Sequence, residues 1–346
     1  MSCRIPMLRV AVLMQILAGV VAGQAMAEPV VRIDSGAFLG DLPTIVADSR
    51  EMFAEQGLET AIAYSDSGAR NMQRLRAGEV DFALMALTPL VLDRLADSTP
   101  GQADDPVILA SLLQAHQLVA IVTAPDSGIE KPGDFAGRSV AFERGTNAEF
   151  VWWLFEQFNG IQSGSVQHVG LPLADMTEAL GTGQVDAAVM PEPWATHLER
   201  SMTDKDSASP RPFDTRNFYV GKWVLVTTRN MVTKQPETCQ KVLATYRQAI
   251  DFMELEPVEG ISYFQTTIED SESVDPENWH SVTYDMNLDL SLIAGLRQQF
   301  HWAKAAGYGS KDAQINVLEL LEPAPLHVVF PKAVHLHEML NQDAKP

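Results

Sequence analysis

Cysteine is nearly missing. The 346 residues hold two, Cys3 and Cys239. Cys3 lies among the first few residues, ahead of an apolar run, and a single remaining thiol cannot close an internal disulfide. Cys239 stands in a helix-like stretch, 238–252, and reads as a small packed residue. Basic residues are scarce too: 25 Lys and Arg face 45 Asp and Glu, a net charge of −20. That excess excludes nucleic acid and anionic membrane surfaces as partners. It leaves open the sign of a ligand held in a cleft, where local dipoles outweigh overall charge. Enzyme signatures are absent as well. The chain has no Gly-x-Ser-x-Gly, no His-Glu-x-x-His, no phosphate-loop lysine and no Cys–His nucleophile cluster.

Residues 1–27 behave differently from the rest. Arg4 and Arg9 give a positive start, 10–21 is apolar except for Gln15, and Ala25-Met26-Ala27 fits a small-x-small cleavage site. Residues 1–27 are therefore expected to be a secretory signal peptide, too short for a membrane span with stop-transfer flanks. Because Cys3 precedes the apolar run, it is not a lipid-attachment cysteine. The expectation is a soluble periplasmic protein with no direct membrane insertion.

What is present is a repeated grammar. In 134–194 a short apolar strand (139–142) leads into Gly145-Thr146-Asn147 and an apolar helix. A second helix then runs through Gly183 and Asp186 into an apolar strand that ends at Pro191-Glu192-Pro193-Trp194. The same order appears once before, in 65–89, with Ser67-Gly68 opening the helix and Gly78-x-x-Asp81 leading into a strand. Strand–helix alternation of this kind predicts an α/β fold with parallel sheets and helices on both faces. Two copies predict two doubly wound lobes whose helix N-termini face each other across a cleft. Helix starts of this kind favour an anionic or strongly polar ligand group.

These residues carry a resemblance. Pro43, Ala47, Phe53, Gly57 and Leu58 match the first lobe of a family, followed by Leu75-x-x-Gly78-x-x-Asp81. In the second lobe the matching residues are Asp134-Phe135-Ala136-Gly137, Val140-Ala141, Gly145-Thr146, Ala179-Leu180-x-x-Gly183-x-x-Asp186-Ala187 and Glu192-Pro193-Trp194. Over roughly 30–302 the chain resembles the substrate-binding proteins of ABC importers in the nitrate, sulfonate, taurine and thiamine-pyrimidine group. The resemblance implies a hinged fold like the type II periplasmic binding proteins. Residues 28–116 and 225–346 would form the first lobe, and 117–224 the second. It also implies a monomer that delivers a small molecule to an ABC permease in the inner membrane. A sulfonate-like organic ligand is the first expectation, and a pyrimidine or other nitrogenous ligand the alternative. Other readings on the same fold are a receptor module for a signalling partner and a biosynthetic enzyme.

Each candidate contact has a structural counterpart. Gly145, Thr146 and Asn147 are expected to hold an oxyanion, and Thr146 or Asn147 also suits a helix cap. Ser67 and Gly68 would meet the ligand from the other side, with Asp66 turned outward. Phe38 would cover a planar part, with Gly40 in the same loop, and Asp41 would meet an amine or cap its helix. Glu192 would accept from a ligand N–H and Trp194 would pack on the ligand, or Pro193 simply opens a helix. Thr88 offers a hydroxyl at a strand end, and Gln114 lies near the first crossing between lobes. Of Trp152 and Trp153 at least one belongs to the core. His335 and His337 could chelate together if extended but are only two ligands with no cysteine near, and the acidic stretch 269–275 lacks the Ca2+-loop spacing, so no metal and no cofactor is expected.

Overall fold

The computed structural model describes residues 30–96, 101–202, 212–213, 215–268, 282–310 and 312–336. The expected leader, the acidic stretch 269–275 and His337 lie outside these residues.

The chain opens with β1 (Val31–Gly36), a 3-10 turn over Leu39–Asp41, then α1 (Leu42–Ser49) and α2 (Met52–Glu55). A continuous helix to Glu55 is expected from the sequence. Glu51, at φ 57°, breaks it in two. Next come β2 (Thr60–Ser65), α3 (Gly68–Arg76), β3 (Phe82–Ala86), α4 (Leu87–Ala96) and β4 (Pro106–Ala115). The chain then crosses to a second sheet. There it builds β5 (Val119–Thr123), β6 (Ser139–Phe142), α5 (Asn147–Asn159), β7 (Gln167–Gly170), α6 (Leu173–Gly181), β8 (Ala187–Pro191), α7 (Trp194–Met202) and β9 (Pro212–Phe213). It returns through β10 (Gly221–Thr228), which lies wholly in the first sheet. Helices α8 (Arg229–Lys234), α9 (Pro236–Leu255) and α10 (Pro257–Thr267) follow, then β11 (Val282–Asn287), α11 (Leu290–Ala305) and α12 (Pro323–Val329).

The strand orders are β11-β4-β10-β3-β1-β2 and β7-β6-β8-β5-β9. The two sheets share one plan. In each, the first strand is flanked by the second and third, and the strand arriving from the other lobe inserts between the third and fourth. β1 runs parallel to β2 and β3, and β6 runs parallel to β7 and β8. The arriving strands β10 and β5 are antiparallel to their neighbours β3 and β8. The sheets are thus mixed where the alternation alone predicts parallel ones. The reason is geometric: a chain entering from the other lobe starts at the end where the parallel strands finish. Both crossings therefore lie at the carboxyl ends of β1, β3, β6 and β8, where open α/β sheets bind ligands.

The cores follow from the apolar strands. Ile33, Phe82, Val140 and Val189 are fully buried. Trp152 is buried, and its Nε1 donates to His168 Nε2 at 2.9 Å, while Trp153 is half-buried and stacks on Phe150. Cys239 is fully buried in α9, and burial pushes its thiol up to about 12, consistent with a packing role. Among the described residues no helix is long and apolar enough to cross a membrane, and no group of three or more metal-ligating side chains occurs.

Candidate functional site

Strand ends and helix starts of both lobes converge on a narrow chamber, whose free volume is about 30 Å3 with the lobes held as they are here. The first lobe contributes Phe38 after β1, Asp66, Ser67 and Gly68 at the start of α3, Ala86 and Pro89 around the start of α4, and Trp223 of β10. The second contributes Glu143, Thr146, Asn147 and Ala148 at the start of α5, Leu173 and Met176 of α6, and Val189 and Pro191 of β8. An outer chamber of about 370 Å3 shares Asp66 and Leu173 with it and adds Ala37, Thr177, Trp194 and His197. The Trp194 indole donates to the carbonyl of Ala37 at 3.2 Å, tying the lobes at this mouth.

The aromatic wall is built from behind. Phe38 and Trp223 meet edge to face, with centroids 5.9 Å apart. Trp223 Nε1 donates to Asp41 Oδ1 at 3.2 Å, and Ser35 Oγ donates to the same oxygen at 3.0 Å. Asp41 is fully buried, and loss of solvation lifts its carboxyl to about 7 against these hydrogen bonds. Gly40 lies under the indole, where a Cβ would fall 2.4 Å from Trp223. Asp41 and Gly40 therefore hold the wall and do not line the chamber.

Thr146 caps α5. Its Oγ1 accepts from Ala148 N at 3.3 Å and donates to the Glu143 carbonyl at 2.8 Å. Gly145, at φ 77°, turns the chain into this cap. Its N–H donates to Glu149 Oε2 at 2.9 Å, so an internal carboxylate takes the amide expected to meet a ligand oxyanion. Asn147 is 7% exposed and lines the chamber, with its side chain also facing the Tyr219 hydroxyl.

At the facing helix, Ser67 is the N-cap of α3 but makes no cap bond with its side chain. Its hydroxyl donates across the cleft to Glu143 Oε1 at 2.6 Å. Glu143 is half-buried. Desolvation raises its carboxyl and nearby Asp66 adds to that, while the Ser67 bond and Arg70 oppose it. Asp66, expected to face outward, lines both chambers and pairs with Arg70 at 2.9 Å.

Of the expected contacts, the structure brings Phe38, Ser67, Gly68, Thr146 and Asn147 to the inner chamber and Trp194 to the outer one. Gly40, Asp41, Thr88, Gln114, Gly145 and Glu192 line neither. Thr88 is buried one residue inside α4, because β3 ends at Ala86, and its hydroxyl donates to Gln299 at 2.8 Å. Gln114 accepts from Lys222 Nζ at 3.3 Å within the first sheet. Glu192 is buried, and Oε2 accepts from Thr196 N at 3.2 Å in the first turn of α7. Glu143 and Trp223 were missed from sequence. The signal for Glu143 was a lone acid between a strand end and a glycine turn, a pattern that solvated loops share.

Among solved structures, the alkanesulfonate-binding protein SsuA of Xanthomonas axonopodis pv. citri, bound to MOPS, superposes with a TM-score of 0.70 at 16% identity. That match covers 86% of this chain and 99% of that one. The periplasmic aliphatic sulphonate binding protein SsuA of Escherichia coli gives 0.63 at 17% identity, over 80% and 93% of the two chains. A mutant of DSZB in complex with biphenyl-2-sulfinic acid gives 0.64 at 13% identity, over 88% and 99%. Likeness at such identities establishes the shared two-lobed fold. Comparison with curated proteins gives no match. Residues 41–260, which carry both helix starts and both crossings, match the family described as NMT1/THI5 like, and the chain belongs to that family.

Proposed function

We propose that the protein is a periplasmic solute-binding protein. It captures a small organic molecule between its lobes and presents it to an ABC importer in the inner membrane. The observation that carries this reading is the chamber itself. It sits at the carboxyl ends of the strands of two lobes with the same strand order, and two helix starts and an aromatic wall line it. Such a chamber is complete only when the lobes meet. A solute that touches both lobes therefore gains contacts in the closed form and shifts the hinge equilibrium toward it. Family membership and the sulfonate-binding proteins of the same fold support capture over catalysis.

The test is a thermal-shift screen of sulfonates, carboxylates, amines, pyrimidines and other small organic solutes, followed by uptake assays in cells lacking the gene. A solute in hundredfold excess over its Kd should add about 2.7 kcal/mol to stability. Uptake of the same solute should fall in the deletion strain. A broad screen with no stabilising solute would count against the reading.

A further inference from the structure

We propose that the inner chamber rejects oxyanions and selects an organic cation, with Glu143 as the specificity-determining residue. The inference rests on the solute-binding reading above and specifies the charge of the solute.

Three observations carry it. First, a carboxylate of the other lobe already stands against the N-cap of α3, where a ligand anion would approach. It is that of Glu143, bonded to Ser67 Oγ at 2.6 Å. A carboxylate at a helix N-terminus is in a favourable field, so an incoming sulfonate would have to displace it. Second, the Gly145 N–H, one of the groups expected to meet an oxyanion, is spent on Glu149 Oε2 at 2.9 Å. Third, two carboxylates, Glu143 and Asp66, line the inner chamber, and no Lys or Arg lines either chamber among the described residues. Asp66 has Arg70 at 2.9 Å, an exposed partner, whereas the bond to Glu143 comes from a neutral hydroxyl.

Bringing a second anion into that partly desolvated space adds repulsion, with no Lys or Arg in the lining to offset it. Bringing a cation supplies the charge that the Ser67 hydroxyl cannot. The rest of the chamber fits the same solute. Phe38 and Trp223 present aromatic surface suited to a planar or alkylated cation. The Asn147 amide, which lines the chamber, offers a polar group to the rest of the solute.

The experiment uses the whole protein and probes matched for body and opposite in charge: benzamidine against benzenesulfonate and benzoate, and agmatine against propanesulfonate. Thermal shift and calorimetry should show binding by at least one cation and none by its anionic counterpart. Glu143→Gln keeps a group that can accept from Ser67 but loses the charge. It should weaken the bound cation at least about tenfold, with the melting temperature of the unliganded protein nearly unchanged. Stronger binding of a sulfonate than of its matched cation would overturn the charge assignment and leave the solute-binding reading standing. So would equal cation affinity in Glu143→Gln. Failure of every cation overturns it too, and failure of the broad screen as well would remove both.

Discussion

Tyr308 Oη lies 2.7 Å from Glu149 Oε2 and 2.9 Å from Oε1, so a hydroxyl of the first lobe donates to a carboxylate of the second. The same carboxylate accepts from Gly145 N and from Arg144 at 3.2 Å. Nearby, Phe150 of α5 packs on Trp302 of α11 with centroids 5.2 Å apart. One side of the cleft is thus fastened by a charged hydrogen bond over an aromatic contact, and the fastening reaches the loop that caps α5.

Tyr308→Phe keeps the ring and removes the bond. The expected loss is about 1.5–3 kcal/mol of stability, the usual range for a hydrogen bond to a charged group. Amide exchange at Gly145 should quicken as Glu149 is released. Denaturant unfolding and hydrogen exchange check both, and unchanged exchange at Gly145 would show the two contacts to be independent.

Gly40→Ala places a methyl where the Trp223 indole already lies. Overpacking of this kind costs about 1–3 kcal/mol, and the indole must shift away from Asp41 and Phe38. A changed tryptophan emission and a lower melting temperature are expected, with weaker solute binding because the wall moves. Identical emission and stability would mean that the wall yields without cost.

Thr88→Val separates structure from binding. Thr88 and Gln299 are both buried, and removing the hydroxyl strands Gln299 Oε1 at a cost of about 1–3 kcal/mol. Solute affinity should stay the same, since Thr88 lines neither chamber. A specific loss of affinity without loss of stability would restore it to the site.

Asp41 gives a pH dependence whose sign can be worked out. The folded chain keeps this proton up to about pH 7, because burial disfavours the carboxylate. The unfolded chain releases it near about pH 4. Between those values the folded state binds more protons, so stability falls as pH rises. Relative to Asp41→Asn, wild-type stability should decline from about pH 4 to about pH 7 and then level off. Urea midpoints across that range check it, and a pH-independent difference would contradict the buried protonated state.

Much of this was legible in the sequence, and what was not has physical reasons. Both lobes could be read from the paired helix starts at Ser67-Gly68 and Thr146-Asn147, because caps and glycine turns are local features. The edge strand β11 escaped notice, since VTYDMN alternates weakly and carries an acid in its middle. Thr88 was misplaced by one residue of boundary: α4 begins directly where β3 ends, and one step moves a side chain from the cleft rim into the helix interface. Trp223 could be assigned to a strand but not to the cleft. Which way its indole points depends on β10 inserting between β3 and β4, a non-local pairing. Glu143 was hidden because a charged residue in a turn ordinarily faces water. Only the meeting of the two lobes puts Ser67 against it.

The most direct measurement is small-angle scattering of the whole protein with and without a solute that raises its melting temperature. If the lobes clamp the solute between them, the radius of gyration should fall on saturation, and the same concentration should leave a variant that no longer binds unchanged. A saturated protein whose dimensions match those of the empty one would contradict the account.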